Sequence, residues 1–151
     1  MHVLKQLQIL PASRPEVWEF VSTPRNLNLI TPPDMDFRIV GEVAEKCFAG
    51  QLIEYRIKVP LLGRTTWLTE IKFVEEGISF VDEQRVGPYK LWIHRHRLED
   101  CEEGTKMTDE IRYLLPLGLL GKVAERYFVR GNLERIFAFR RSRLSEIFSL
   151  S

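Results

Sequence analysis

The chain is poor in the residues that most often announce chemistry. Its two cysteines, Cys47 and Cys101, are too far apart to form a CxxC pair, which removes the redox and zinc motifs built on that spacing. They suggest a reducing compartment or no redox role, with a single Cys47–Cys101 pairing as the alternative. No GxSxG elbow and no activated-cysteine signature occurs, so a nucleophilic hydrolase has no visible starting point. No apolar run approaches the roughly 18 residues of a membrane-spanning helix. The opening "MHVLKQLQILPASRPE" lacks the basic-then-apolar layout of a signal peptide. A soluble, cytoplasmic protein is therefore expected. Charge of one sign is missing too: Lys plus Arg number 22 and Asp plus Glu 21, a net charge of +1. That balance argues against a nucleic-acid binder, which carries a basic excess. Repeats, low-complexity tracts and linkers are absent, and 151 residues suit one domain spanning residues 1–151.

What remains is enough for a core. Apolar residues make up 44% of the chain and charged ones 28%, outside the range of disordered sequences. "HVLKQLQIL" alternates and stops at Pro11, which predicts a first strand. Ser13 and Glu16 form a capping-box pair with Pro15 in the first turn, so a helix begins there. Thr23-Pro24 starts a second short helix, which Pro32-Pro33 stops. From Phe37 to Tyr113 the apolar period is two. Six strand candidates follow one another: "FRIVGE", "GQLIEYRIKV", "TTWLTEIKFVEE", "ISFVDEQ", "YKLWIHRHRLED" and "TKMTDEIRYLL". Their connections are too short for parallel crossovers, so the neighbours are antiparallel. A helical segment closes the chain from about residue 119 to 148, with Leu133, Ile136, Phe137, Arg140, Leu144 and Ile147 on one stripe. Gly131-Asn132 marks a kink or break in it, and "LLPLGLLGK" at 114–122 is a Pro/Gly-punctuated apolar stretch that precedes it as a hinge or an entrance. The predicted class is α+β: a seven-stranded antiparallel sheet that buries one face under the terminal helix, with two short helices after the first strand.

Two of the three histidines fall in "KLWIHRHRLED". Alternation sends Trp92, His94, His96 and Leu98 to one face and Arg95 and Arg97 to the other. Outward arginines cost little and buried unpaired ones a great deal, so the histidine face is the inner one. The next strand turns Met107, Asp109, Ile111 and Tyr113 inward. Pairing Leu98 with Met107 then sets His96 opposite Asp109, His94 opposite Ile111 and Trp92 opposite Tyr113, with Cβ atoms about 4.5–5.5 Å apart. His96–Asp109 is the predicted buried pair. Earlier strands offer Ile53, Tyr55 and Ile57, then Trp67, Thr69, Ile71 and Phe73.

"PASRPEVWEFVSTPRNLNLITPP", "FVDEQRVGPYKLWIHRH" and "EEGTKMTDEIRYLLPLG" resemble the START-like, or SRPBCC, superfamily, in its polyketide cyclase/dehydrase-like bacterial branch. The resemblance extends over essentially the whole chain. It implies the helix-grip fold, a curved seven-stranded sheet around the C-terminal helix with a cavity for an apolar molecule. It also favours the Phe80 face of "ISFVDEQ", with Asp82 and Gln84, as the inward one.

The candidate ligand-binding set is thus Tyr55, Trp67, Phe80, Asp82, Gln84, Trp92, His94, His96, Asp109 and Tyr113, apolar walls with a few polar groups to fix orientation. Binding of a lipid-, quinone- or polyketide-like molecule is the expected function. A second expectation is a cyclase or dehydratase in which His96 and Asp109 act as an acid–base pair. A third is a peripheral membrane or partner contact through Phe139 and Phe148, which fall off the helix stripe among arginines. No cofactor is called for. No metal is expected either: His94 and His96 supply two ligands and Asp109 offers a third, but no second His or Cys cluster completes a site.

Overall fold

The computed structural model describes residues 1–60, 62–116, 118 and 125–149. Strand β1 (His2–Leu10) leads into helix α1 (Arg14–Val21) and two 3-10 turns, Pro24–Ile30 and Pro33–Met35. Strands β2 (Arg38–Ile39), β3 (Leu52–Val59), β4 (Gly63–Glu75), β5 (Ser79–Val86), β6 (Leu91–Cys101) and β7 (Gly104–Leu114) follow. A π turn, Glu125–Val129, runs into the C-terminal helix α2 (Arg130–Ser149).

Helix α1 begins at the predicted cap: the Ser13 N–H donates to the Glu16 carboxylate at 2.9 Å. Its Trp18 indole donates to Glu76 at 2.7 Å, which holds the helix against the β4–β5 turn. The second expected helix is the 3-10 segment Pro24–Ile30.

The strands form one curved antiparallel sheet in the order β1-β7-β6-β5-β4-β3-β2. β2 sits at its edge and pairs for only two residues, Arg38 and Ile39 with Arg56 and Tyr55, less than the expected 37–42. The β6–β7 ladder has the predicted register: Trp92 faces Tyr113, His94 faces Ile111, His96 faces Asp109 and Leu98 faces Met107. Gly104, which closes this hairpin against Cys101, has φ +128, and a Cβ there would lie 2.3 Å from the Leu10 carbonyl oxygen. Only glycine fits that approach.

One expected inward residue is not inward. The β4–β5 register shifts between Ile71 and Phe73. An extra residue in a strand moves everything beyond it to the other face. Ile71 is accordingly buried, Phe73 is 50% exposed, and Val74 packs on the core instead.

Helix α2 crosses the inner face and continues without interruption through Gly131-Asn132. The predicted helical residues 119–124 and most of the "LLPLGLLGK" hinge lie outside the described residues. The helix is moored to β1 by reciprocal bonds: Gln8 donates to the Arg141 carbonyl at 2.8 Å, and Arg141 to the Leu7 carbonyl at 2.8 Å. Phe148 is buried and packs edge-to-face on Phe20 at 5.6 Å. It therefore has no surface to offer a membrane, contrary to expectation, and Phe139 is half-buried. Among the described residues no helix is long and apolar enough to cross a membrane.

The core divides into two apolar clusters. One gathers Phe80, Leu98, Met107, Leu144 and Phe148 with α1 and the middle of β3 and β4. The other gathers Leu4, Trp92, Ile111, Tyr113, Leu133 and Phe137. On β6 the residues between them are His94 and His96, on β7 Asp109, and on α2 Arg140. All four are buried. A polar band thus crosses sheet and helix where alternation and helical spacing would otherwise place apolar side chains.

Candidate functional site

A cavity of about 180 Å³ opens between the inner face of the sheet, the 3-10 turns and α2. Seven of the ten candidate residues line it: Tyr55, Trp67, Phe80, Asp82, Trp92, His94 and His96. The other three serve differently. Gln84 clamps the β5–β6 turn, donating to the Tyr89 carbonyl at 2.7 Å and accepting the Tyr89 N–H at 3.1 Å. Tyr113 is buried under aromatic neighbours, with Tyr89 at 5.8 Å and His2 at 5.3 Å between ring centroids. Asp109 stands behind the histidines rather than in the wall.

The hydrogen bonds differ from the predicted pair. Asp109 Oδ1 lies 2.9 Å from His94 Nε2 and 2.9 Å from His96 Nδ1. The bond is made with His94, whereas the His96 Nδ1–H does not point along its contact and has no hydrogen-bond acceptor. His96 instead bonds through Nε2 to Asp82 Oδ2 at 3.0 Å. His94 Nδ1 is 3.6 Å from the same oxygen. Phe80 stacks on His96 at 4.0 Å between ring centroids, and the His94 ring, 3.7 Å from that of His96, is tilted by 40° to it.

These contacts assign charge. Burial works against ionised carboxylates at Asp82 and Asp109, but the histidine bonds outweigh it and hold both below the usual carboxylate range. Burial also opposes an imidazolium at His96, where contacts with Asp109 and Asp82 prevail and raise its pKa. At His94, burial and then the neighbouring His96 cation push the pKa down despite the carboxylates. His94 is therefore the neutral ring, donating through Nε2 to Asp109 and keeping Nδ1 as an acceptor. The acidic groups of the buried band, Asp82 and Asp109, thus face two basic ones, His96 and Arg140.

The remaining wall groups are chemically quiet. Burial and the nearby Asp82 raise the Tyr55 phenol and push the Cys47 thiol up to about 12. Cys47 and Cys101 are free thiols.

Asp82, His94 and His96 bring one ligand atom each within 4.8 Å of the others, close enough to share a metal ion. Asp109 behind both rings would then be the supporting carboxylate such sites use. A cation there would compete with the His96 Nε2 bond to Asp82 and with Arg140, whose charge also acts on Asp82.

Arg140 is the site residue that sequence reasoning missed. It was placed on the apolar stripe of the helix, and that position was itself the signal, since an arginine among core positions needs a reason. It lines the cavity with its guanidinium carbon 4.7 Å from the Phe137 ring centroid.

No family model matches the chain, and no curated protein matches it. Solved structures do. Protein CV1439 from Chromobacterium violaceum superposes with a TM-score of 0.71 at 12% identity, covering 98% of each chain. Protein Ms6760 from Mycobacterium smegmatis gives 0.70 at 16% identity, covering 98% of this chain and 91% of that one. A nucleoside-diphosphate sugar epimerase from Corynebacterium glutamicum gives 0.68 at 23% identity over 95% of this chain and 28% of its own. At these identities the likeness shows the fold: a sheet gripping a C-terminal helix.

Proposed function

We propose that the protein binds an apolar small molecule in the cavity between the sheet and α2. The observation that carries this reading is a cavity of about 180 Å³ with aromatic and aliphatic walls and a polar band of Asp82, His94, His96 and Arg140 at one side. Apolar walls supply affinity and a few fixed polar groups supply orientation. The resemblance to START-like proteins supports the same use of this space. Size narrows the ligand, because a cavity of ~150 Å³ accepts benzene. A lipid, quinone or polyketide would therefore place one ring or a short chain segment inside. Native mass spectrometry of gently purified protein, with thermal shifts against a panel of single-ring and short-chain compounds, tests the proposal. A co-purifying molecule or a saturable shift supports it; neither, across the panel, refutes it.

A catalytic reading has one specific support. His94 is neutral, oriented from behind by Asp109 and present in the cavity wall, as a general base must be. Turnover of a carbonyl compound that His94→Ala abolishes and the surface substitution Phe73→Ser leaves intact would favour it over binding alone.

A further inference from the structure

The arginine in the polar band has opposite charge nearby but no hydrogen-bond partner. Arg140 is 91% buried by its 9% exposure, and its Nε is shielded from solvent without an acceptor. Among the described residues no hydrogen bond or ion pair reaches its guanidinium. Exposed arginines on the same helix are served: Arg130 pairs with Glu134 at 3.2 Å and Arg135 with Asp34 at 3.1 Å. Asp82 is near enough to feel Arg140, yet its Oδ2 is taken by His96. Asp109 is likewise engaged by His94. The helix thus brings to the cavity wall a guanidinium that no described residue bonds, and a guanidinium carries only donors.

A missing acceptor on the cavity side is a statement about the ligand. A guanidinium matches two oxygens of a planar carboxylate, and that pair is strongest where water is excluded. His96 lies on the same wall, with Nε2 3.0 Å from Asp82 and Nδ1 2.9 Å from Asp109. The cavity volume of about 180 Å³ leaves room for one ring or a short chain behind the carboxylate.

We propose that the cavity is a binding site for a small carboxylic acid, its carboxylate held by Arg140 and its apolar part against Phe80, Trp67 and Ile53. This rests on the small-molecule reading above and names its ligand class.

Matched pairs test it by calorimetry: benzoate against benzyl alcohol, and octanoate against octanol, on the wild type, Arg140→Met and Arg140→Lys. The expected result is at least tenfold tighter binding of each acid than its alcohol by the wild type. Arg140→Met should erase that preference while leaving the alcohols within about twofold, and Arg140→Lys should keep part of it. Equal or tighter binding of the alcohols by the wild type overturns the acid proposal and leaves the binding reading standing. An acid preference that survives Arg140→Met also overturns it, placing the carboxylate elsewhere. If neither acids nor alcohols bind the wild type, both readings fall. The wild-type comparison decides even if a variant fails to fold.

Discussion

His94 and Asp109 are bonded along the diagonal of the β6–β7 ladder, Nε2 to Oδ1 at 2.9 Å, while the residue directly across from Asp109 is His96. One carboxylate therefore fixes the tautomer of one ring and the charge of the other. Asp109→Asn keeps an acceptor for His94 but removes the charge that favours the His96 cation. The expected outcome is a loss of about 2–3 kcal/mol of stability, the scale of a charged buried hydrogen bond. The His96 pKa should fall as well. Denaturant unfolding gives the first and histidine NMR titration the second; an unshifted His96 would show that Asp82 alone sets its charge.

The two rings also predict how stability depends on pH. His94 is lowered from 6.5, so below that pH the unfolded chain takes up a proton that the folded one refuses, and stability falls as acid is added. His96 is raised from 6.5, so its contribution is complete below 6.5 and is lost as pH rises through its folded value. Asp82 and Asp109 are lowered from 3.8, and their contribution disappears only as pH falls below that region. Stability should peak near pH 6.5. In urea unfolding from pH 5 to 9, His96→Gln should lack the decline above 6.5; an unchanged decline would assign it to another group.

How much of this was legible beforehand depended on what each feature is made of. The β6–β7 register followed from alternation, because only one pairing sets Trp92, His94, His96 and Leu98 against the inward residues of β7. The hydrogen bonds did not follow, since strand position sets which face a ring is on and not which neighbour it leans toward. Gln84 and Tyr113 were assigned the correct face, but Tyr89 lies between them and the cavity, contacting both. Arg140 was hidden by the regularity of its own helix, where the spacing matched a core position and masked the chemistry.

The β4 bulge was invisible for a related reason: its register shift is a backbone property with no residue signature in "TEIKFVEE". It yields a sharp contrast between neighbours of similar hydrophobicity. Ile71 is 2% exposed and Phe73 50% exposed. Ile71→Ala should cost about 2–4 kcal/mol through the cavity it leaves. Phe73→Ser should stay within about 0.5 kcal/mol, as surface substitutions do. Urea midpoints of the two variants decide it, and a large cost at Phe73 would mean that the strand is not bulged there.

Cys47 provides a reporter for the cavity without any added label site. Its thiol lines the cavity wall, and burial, with a further contribution from Asp82, pushes its pKa up to about 12. Only the thiolate attacks an alkylating reagent, so at pH 8 Cys47 is expected to react about a thousandfold more slowly than an ordinary thiol of pKa ~8.5. Mass-resolved alkylation with iodoacetamide separates it from Cys101. A ligand that occupies the cavity should slow Cys47 further and leave Cys101 unchanged. Rapid alkylation of Cys47 in the free protein would show that the wall around it opens to solvent far more than the packed structure does.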